Sequence, residues 1–531
     1  MGTEGFSLGI DSSTQGTTAV VVDLESRTIA AQGRVRYRDD RRLAGFGLAE
    51  AQPLLPPRER GEADQPVGLF LAALDAVLSD LPRELLGRVR AVAVSAQQHG
   101  QVWLAGGAGA AYAGLGMEGS GLAGSPRLSE RFARALASDR SPIWMSANTA
   151  READHIRAAA GGADAMTAVS GSDSPLRFTG AVLRRRASRE PEAYASCRTV
   201  HLISSFLASV LSAREDAPID WGNGSGTSLM DWEKRRWSDV LVRAVSDGLA
   251  GGADGLRSRL PSLASPLVTV GPIARYFTER YGIPPEAIVA AGSGDNPQTK
   301  VLASGGLLSL GTSFVLMAEG RRPHRSANAM YDGLGRPFLF GCRTNGALAW
   351  ESVRLSHGLA AADFAASERA LASSEPGSVL RVLQAERESF PESPPMDTGR
   401  SEDFARDYAG VVDSSLGLLW LGSRPFAASG GAASREALTV TGGASASEGT
   451  LKRVASIWEC PVARIDEAGA AAGAAVAAAV ALVPEAERGD RASALAAGVT
   501  GRGRLIEPDP RYVAAYHKDG GYLGRLARMI G

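Results

Sequence analysis

Residues 8–18 read LGIDSSTQGTT. Phe6 to Asp11 is an apolar strand ending in an acid, Ser12 to Thr17 a polar turn with one glycine, and Thr18 to Asp23 a second, β-branched strand. The segment is therefore predicted to be a hairpin with a hydroxyl-rich tip. Such a tip can wrap phosphate oxygens with hydroxyls and turned backbone amides while Asp11 holds a magnesium ion through water. An ordinary hairpin turn selects the same residue types, and taken alone the stretch reads as one.

The second half of the chain carries an echo of it. Leu307 to Leu310 is an apolar strand leading through Gly311, Thr312 and Ser313 into a strand at Phe314 to Met317. Two similar lobes facing each other would bring both turns into one interlobe cleft, the usual place for a ligand. Between the two turns, Ala287 to Ala291 is a short apolar strand delivering Gly292, Ser293, Gly294, Asp295 and Asn296. Glycines on both sides of Ser293 free the backbone where a carboxylate is presented, and Asp295 is placed to accept the proton of an attacking hydroxyl; an Asx turn before a helix uses the same residues. A third element runs Thr439 to Thr441, then Gly442, Gly443, Ala444 and Ser445, with a capping box expected from Ser445 to Glu448 and helical spacing through Leu451, Val454, Ala455 and Trp458. Its glycines suit a flat ring or phosphates lying on the backbone, and they suit tight helix-on-strand packing equally well.

The remaining chain sets the frame. With 531 residues and 44% apolar content there is ample material for large cores, and disordered and fibrous classes are excluded. Fifty-seven Lys plus Arg against 58 Asp plus Glu, a formal charge of −1, remove the global attraction a dedicated nucleic-acid or anionic-membrane binder needs. The expected partners are small molecules. Cys197, Cys342 and Cys460 form no CxxC and no secretory framework, which fits a reducing compartment, and the six histidines show no zinc-ligand spacing. MGTEGFSLGI lacks the basic and apolar regions of a secretory leader. Ala468 to Val483 is nearly all Ala, Gly and Val, shorter than the ~18 residues that argue a membrane span, and is predicted to be a buried, closely packed helix. Helical periodicity is expected at Leu69 to Leu78 and Arg151 to Ala160, and a strand at Val89 to Ser95 flows into Gln97, Gln98, His99 and Gly100. Residues 105 to 125 lack an apolar period and read as a flexible surface insertion. A Pro, Ser and Leu stretch at Leu260 to Pro266 marks the expected crossing between lobes, giving domains 1–265 and 266–531.

In order along the chain, LGIDSSTQGTT, SAQQHG, SPIWM, RFTG, GSGDNP, SLGTS and TGGAS resemble the motifs of the FGGY family of carbohydrate kinases, most of all its eukaryotic-type ketopentose branch. The resemblance implies an α/β fold of two actin-like (ribonuclease H-like) lobes with an interlobe cleft, closing on MgATP and a sugar. It implies phosphoryl transfer from ATP to the terminal hydroxyl of D-xylulose in the cytoplasm, by a monomer or homodimer. Matched position by position, it makes Asp295 the catalytic base and places His99, Arg177, Asp295 and Asn296 on the sugar. It places Asp11 at the magnesium ion, and Thr14, Gly16, Thr17 and Thr18 in the first phosphate loop. Gly311, Thr312 and Ser313 form the second, and Gly442, Gly443 and Ser447 the adenosine loop.

One position departs from the family. An acidic residue usually stands two positions after the tryptophan of the IWM-like segment, whereas Ser146 stands here, followed by Ala147 and Asn148. A carboxylate accepts two sugar hydroxyls with charge assistance and a serine offers one neutral contact, so a different ketose or polyol, ribulose for example, is a second expectation. A catalytically silent sugar- or nucleotide-binding protein of the same fold is a third. Against it, Asp11, Asp295 and both phosphate turns are all present.

Overall fold

In the computed structural model, residues 4–427, 437–465, 469–501 and 505–530 are described. The chain divides into two compact units. The first comprises Met1–Leu302, Met330–Arg336 and Ala468–Val499, and the second Ala303–Ala329, Pro337–Glu467 and Thr500–Gly531. This departs from the expected single boundary at residue 265. Strands Thr269–Pro272 and Ile288–Ala290 add to the first sheet beside Val89–Ala96, so the chain remains in the first core well beyond Pro266. Asp295 consequently belongs to the first unit.

The first sheet begins with a meander. Strand Phe6–Ser12 pairs antiparallel with Gly16–Asp23, which pairs antiparallel with Ile29–Arg36. On its other side Phe6–Ser12 runs parallel to Val89–Ala96, with Asp11 beside Ser95, and Val89–Ala96 runs parallel to Ile288–Ala290. The central strands are apolar on both faces because both are covered. Helix Val67–Ser79 buries Leu69, Phe70, Leu71, Leu74, Val77 and Leu78 in the main core. Helix Gly469–Ala481 packs Ala474 and Ala478 against Ala91, Ala93 and Ala290. Small side chains make that second contact close. A Cβ on Gly9 would lie 1.9 Å from the Ala471 carbonyl oxygen, and one on Gly473 would lie 1.8 Å from the carbonyl oxygen of Gln298. The buried Ala/Gly helix is thus present as expected, from Gly469; Ala468 lies outside the described residues, as do the first three residues of the chain.

The second unit repeats the design. Leu307–Leu310 pairs antiparallel with Phe314–Glu319, which pairs antiparallel with Pro337–Arg343; Leu307–Leu310 also runs parallel to Leu438–Thr441, and that strand parallel to Val462–Arg464. Three antiparallel strands followed by two parallel ones in the same order, twice, is the ribonuclease H-like pattern, and it turns the weak echo between Leu8–Thr14 and Leu310–Ser313 into a repeat of topology.

Two local expectations are corrected. Residues 105 to 125 are not a loose insertion: Ala108–Gly116 is a helix burying Ala108, Tyr112 and Leu115, and a Cβ on Gly121 would stand 2.3 Å from the Tyr276 carbonyl oxygen. The Ala and Gly between them hid an i, i+4, i+7 spacing. The helix Glu448–Trp458 is capped by Ser447, whose hydroxyl accepts from the Thr450 amide at 3.0 Å, while Ser445 sits in a preceding 3₁₀ turn and donates to the Gly442 carbonyl. Among the described residues, no helix is long and apolar enough to cross a membrane.

Candidate active site

Within the first unit, parallel pairing brings three strand ends together: Asp11 is the next-to-last residue of Phe6–Ser12 and pairs with Ser95, the next-to-last of Val89–Ala96, and Ser293–Gly294 pairs with the same end, opposite Ser95 and Ala96. The Ser95 hydroxyl donates to Asp11 Oδ1 at 2.7 Å. Burial nevertheless pushes the Asp11 carboxyl up to about 6. Asp295 opens the helix Asp295–Lys300, and its Oδ1 accepts from the Asn296 amide at 2.8 Å and from Asn296 Nδ2 at 3.1 Å. Burial, and then the Asp11 carboxylate nearby, push Asp295 up to about 7 against those hydrogen bonds. Two mutually repelling carboxylates at the carboxyl end of a sheet fit a divalent cation. Among the described residues no cluster of three or more His, Cys, Asp or Glu could hold a metal ion by itself.

His99 follows the strand Val89–Ala96 in the left-handed region, at φ 70°, a conformation that persists only where the surroundings enforce it. They do so from several sides. The ring stacks on Phe178 with centroids 4.6 Å apart, its Nδ1 lies 2.9 Å from the Gly226 carbonyl, and its own carbonyl accepts from the Thr179 hydroxyl. A carbonyl only accepts, so Nδ1 carries the proton and Nε2 is left as an acceptor. Burial and then the Arg177 charge hold the imidazole down at about 3, neutral at physiological pH. Arg177 is thus within electrostatic reach of His99.

At the hairpin tip the hydroxyls divide. Thr14 Oγ1 donates to Gln97 Oε1 at 3.0 Å and accepts from the indole of the half-exposed Trp144 at 2.8 Å, while Gln65 donates to the Thr14 carbonyl and accepts from Gln97. Thr17 is turned inward onto the Tyr37 hydroxyl, which also meets Ser12. Gly16 is required by packing, since a Cβ there would lie 2.3 Å from the Val35 carbonyl oxygen. Thr18 is half-buried, opposite Asp11 in the strand pairing. Neither residue of the departing segment is free: Ser146 donates to the Ala63 carbonyl and Asn148 to Glu59.

In the second unit, Thr312 is exposed at the tip of the turn Gly311–Ser313, and a Cβ on Gly311 would meet only the Ser313 carbonyl at 3.6 Å. Gly442 has φ 91° and lies so close to Leu310 that a Cβ would be 2.7 Å from its carbonyl carbon and oxygen, whereas around Gly443 nothing stands within 4 Å of that position. Gly442 is explained by the protein's own packing. Gly443 leaves an open backbone surface that a Cβ would fill, which fits a ligand ring or ribose. Ser447 has its oxygen engaged in capping and retains its hydroxyl proton.

Several residues were missed from sequence. Ser95 is the partner of Asp11, and Gly346 abuts the second turn, a Cβ there falling 2.5 Å from the Thr312 carbonyl oxygen. The segment Asp220–Gly226 is the support for the sugar-site candidates: Gly226 holds His99, and the buried Asp220 accepts from the Ser293 hydroxyl and from Asn223. The four closely spaced residues Gly222, Asn223, Gly224 and Gly226 were the available signal.

A xylulose kinase of Rattus norvegicus is 32% identical over 322 residues, 60% of this chain and 56% of the relative. A probable D-xylulose kinase A of Aspergillus fumigatus is 31% identical over 362 residues, 65% of this chain and 60% of the relative. The chain thus spans less than two thirds of the length of the curated relatives it matches. No family model matches the sequence. Crystal structures of a xylulose kinase from Rhodospirillum rubrum (17% identity, TM-score 0.78) and a gluconate kinase from Lactobacillus acidophilus (17%, 0.76) each cover 99% of this chain and 97% of their own. A glycerol kinase from Plasmodium falciparum with ADP covers 99% and 98% at 13% identity and a TM-score of 0.75. At these identities the likeness establishes the fold and leaves the acceptor open. The resemblance read from the motifs therefore holds at both levels: in sequence the chain is similar to xylulose kinases, and its fold is the two-lobed actin-like fold of the FGGY carbohydrate kinases.

Proposed function

We propose that this protein is an ATP-dependent sugar kinase that converts D-xylulose to D-xylulose 5-phosphate. The observation that carries the reading is the half-buried Asp11/Asp295 pair, with Asp295 poised near neutral pH and its neighbour Asn296 in contact with Gln98, the residue before His99. A base poised near the working pH combines the ionised form with useful proton affinity. Asp295 takes the proton from the terminal hydroxyl of the sugar as that oxygen attacks the γ-phosphorus and the bond from the γ-phosphorus to the β,γ-bridging oxygen breaks, releasing ADP. Asn296 holds the Asp295 carboxylate in place, and neutral His99 accepts a sugar hydroxyl at Nε2 while Arg177 donates to another oxygen. Gly311–Ser313 has amides and hydroxyls suited to phosphate oxygens, and Gly443 with Ser447 is suited to adenosine. Asp11 would hold magnesium through water; when bound, the ion supplies charge neutralisation at the β and γ phosphates.

A kinase for another ketose is the second reading, favoured by Ser146 standing where the family usually has an acid and donating to the Ala63 carbonyl, so that this position offers the sugar no carboxylate. The deciding measurement is ADP release with MgATP and D-xylulose, D-ribulose, L-xylulose, L-ribulose, glycerol or water. Fastest turnover with D-xylulose is expected. Faster turnover with another sugar reassigns the acceptor, and none above the water rate refutes the kinase reading.

A further inference from the structure

Two consecutive glutamines stand between the strand Val89–Ala96 and His99, and they are not equivalent. Gln97 has a partner at each amide atom, donating to Gln65 at 2.6 Å and accepting from Thr14 at 3.0 Å. Gln98 is equally buried, 5% exposed, yet among the described residues its Nε2 has no hydrogen-bond partner. Its orientation follows from its neighbour. Asn296 Nδ2 is fixed as a donor by Asp295 Oδ1, at 3.1 Å, and the same Nδ2 lies 3.3 Å from Gln98 Oε1. The Gln98 oxygen must face Asn296, so the amide N–H groups face away from it. The placement is built in: a Cβ on Gly294 would lie 2.4 Å from Gln98 Cγ, so the glycine before Asp295 admits the glutamine at this point.

Buried amides are normally paired, and an unpaired one is costly enough to mark a ligand contact. The surroundings specify the ligand atom. His99 Nε2 and Asp295 accept and are suited to hydroxyls, whereas the Gln98 amide only donates. The geometry points to Gln98 as a specificity-determining residue that donates to the carbonyl oxygen of an open-chain ketose, so that the site prefers a ketose over the corresponding alditol. The inference rests on the sugar-kinase reading above. A carbonyl oxygen accepts only and matches the amide, while an alditol hydroxyl at the same place brings a proton that needs a further acceptor.

The test compares wild type with Gln98→Met, which keeps the shape and removes the donor, and with Gln98→Glu, which keeps the shape and changes the polarity. The KM for D-xylulose and the inhibition constant of xylitol against it are measured at saturating MgATP, with calorimetric binding of both compounds alongside. The expected result for Gln98→Met is a D-xylulose KM raised roughly 10- to 100-fold with the xylitol constant moved less than about threefold. Equal shifts for both compounds, or no shift for either, overturn the assignment, the latter meaning that the amide is served by water. Should Gln98→Met fail to fold, Gln98→Glu gives the same comparison. Wild type that binds D-xylulose without phosphorylating it refutes the kinase reading alone, and the ketose-to-alditol binding ratio of the variants then decides Gln98. Wild type that binds neither compound overturns both.

Discussion

Asp295→Asn should stabilise the protein while removing its activity, and the size of the gain depends on pH. The Asp295 carboxyl is raised from 3.8 to about 7. Between those values the folded protein keeps a proton that the unfolded chain releases, so folding stability is greatest below pH 3.8 and falls as pH rises through about 7. A shift of about 3 units corresponds to about 4 kcal/mol if realised in full. Asp295 is half-buried by surface exposure, so water screens part of this, and a gain on the order of 1–2 kcal/mol is expected at pH 8. Asparagine retains an oxygen for the Asn296 amide and Nδ2, which removes the charge without breaking those contacts. Thermal unfolding without ligands should therefore show a midpoint for Asp295→Asn about 1–3 °C above wild type at pH 8 and level with it near pH 4. Sugar-dependent ADP release should fall by at least about 10²-fold at both pH values, with MgATP binding retained. A variant no more stable than wild type at pH 8, or one whose advantage is the same at both pH values, refutes the reasoning.

The two glycines of the second unit separate packing from binding: Gly442→Ala should cost stability, about 2 kcal/mol or more in denaturant titration, whereas Gly443→Ala should leave stability unchanged and weaken ATP binding by calorimetry. Gly9→Ala places a Cβ 1.9 Å from the Ala471 carbonyl oxygen and should lose about 3 kcal/mol or fail to accumulate as folded protein; normal unfolding midpoints would contradict the packing. Phe178→Leu removes the stack that helps hold His99 at positive φ, and the KM for the sugar should rise about tenfold while the KM for MgATP stays constant. Tyr37→Phe strips the hydroxyl that meets Ser12 and Thr17, for a loss of about 1–2 kcal/mol in chemical denaturation.

Local structure that is written in residue type and spacing was legible. The hairpin at Asp11, the strand into His99 and the glycine-flanked Asp295 could each be placed from alternation and turn chemistry, because strand ends and turns are local. The boundary at 265 was not legible, since Ile288–Ala290 joins Val89–Ala96 by a pairing across two hundred residues that no local pattern encodes. The Ala/Gly helix Gly469–Ala481 could be recognised as buried, but its return to the first sheet depends on Gly9 and Gly473 admitting backbone to backbone. At the candidate site, side-chain orientation was not legible. Thr14 and Thr17 look alike in sequence, yet β-pairing turns Thr17 onto Tyr37 and leaves Thr14 with Gln97 and Trp144. The same holds for Gln97 and Gln98, where only the structure distinguishes the partnered amide from the unpaired one.

The repeat of topology makes the chemical difference between the two turns informative. Both follow the first strand of a three-stranded antiparallel meander, and both are flanked by a parallel strand on the other side. The first places Asp11 beside Ser95 and close enough to Asp295 to raise its pKa; the corresponding stretch of the second, Leu310–Gly311–Thr312–Ser313, holds no carboxylate at all. A polyanion brought to the first turn alone would face two acids and require a cation between them, while at the second it would meet hydroxyls and amides with no opposing charge. The two halves of the repeat therefore differ in charge at corresponding places, carboxylates in the first and only hydroxyls and amides in the second. A nucleotide switch without an acceptor would need only the latter, and it would have no use for a neutral histidine held at positive φ, an adjacent arginine and an unpaired buried amide around its base.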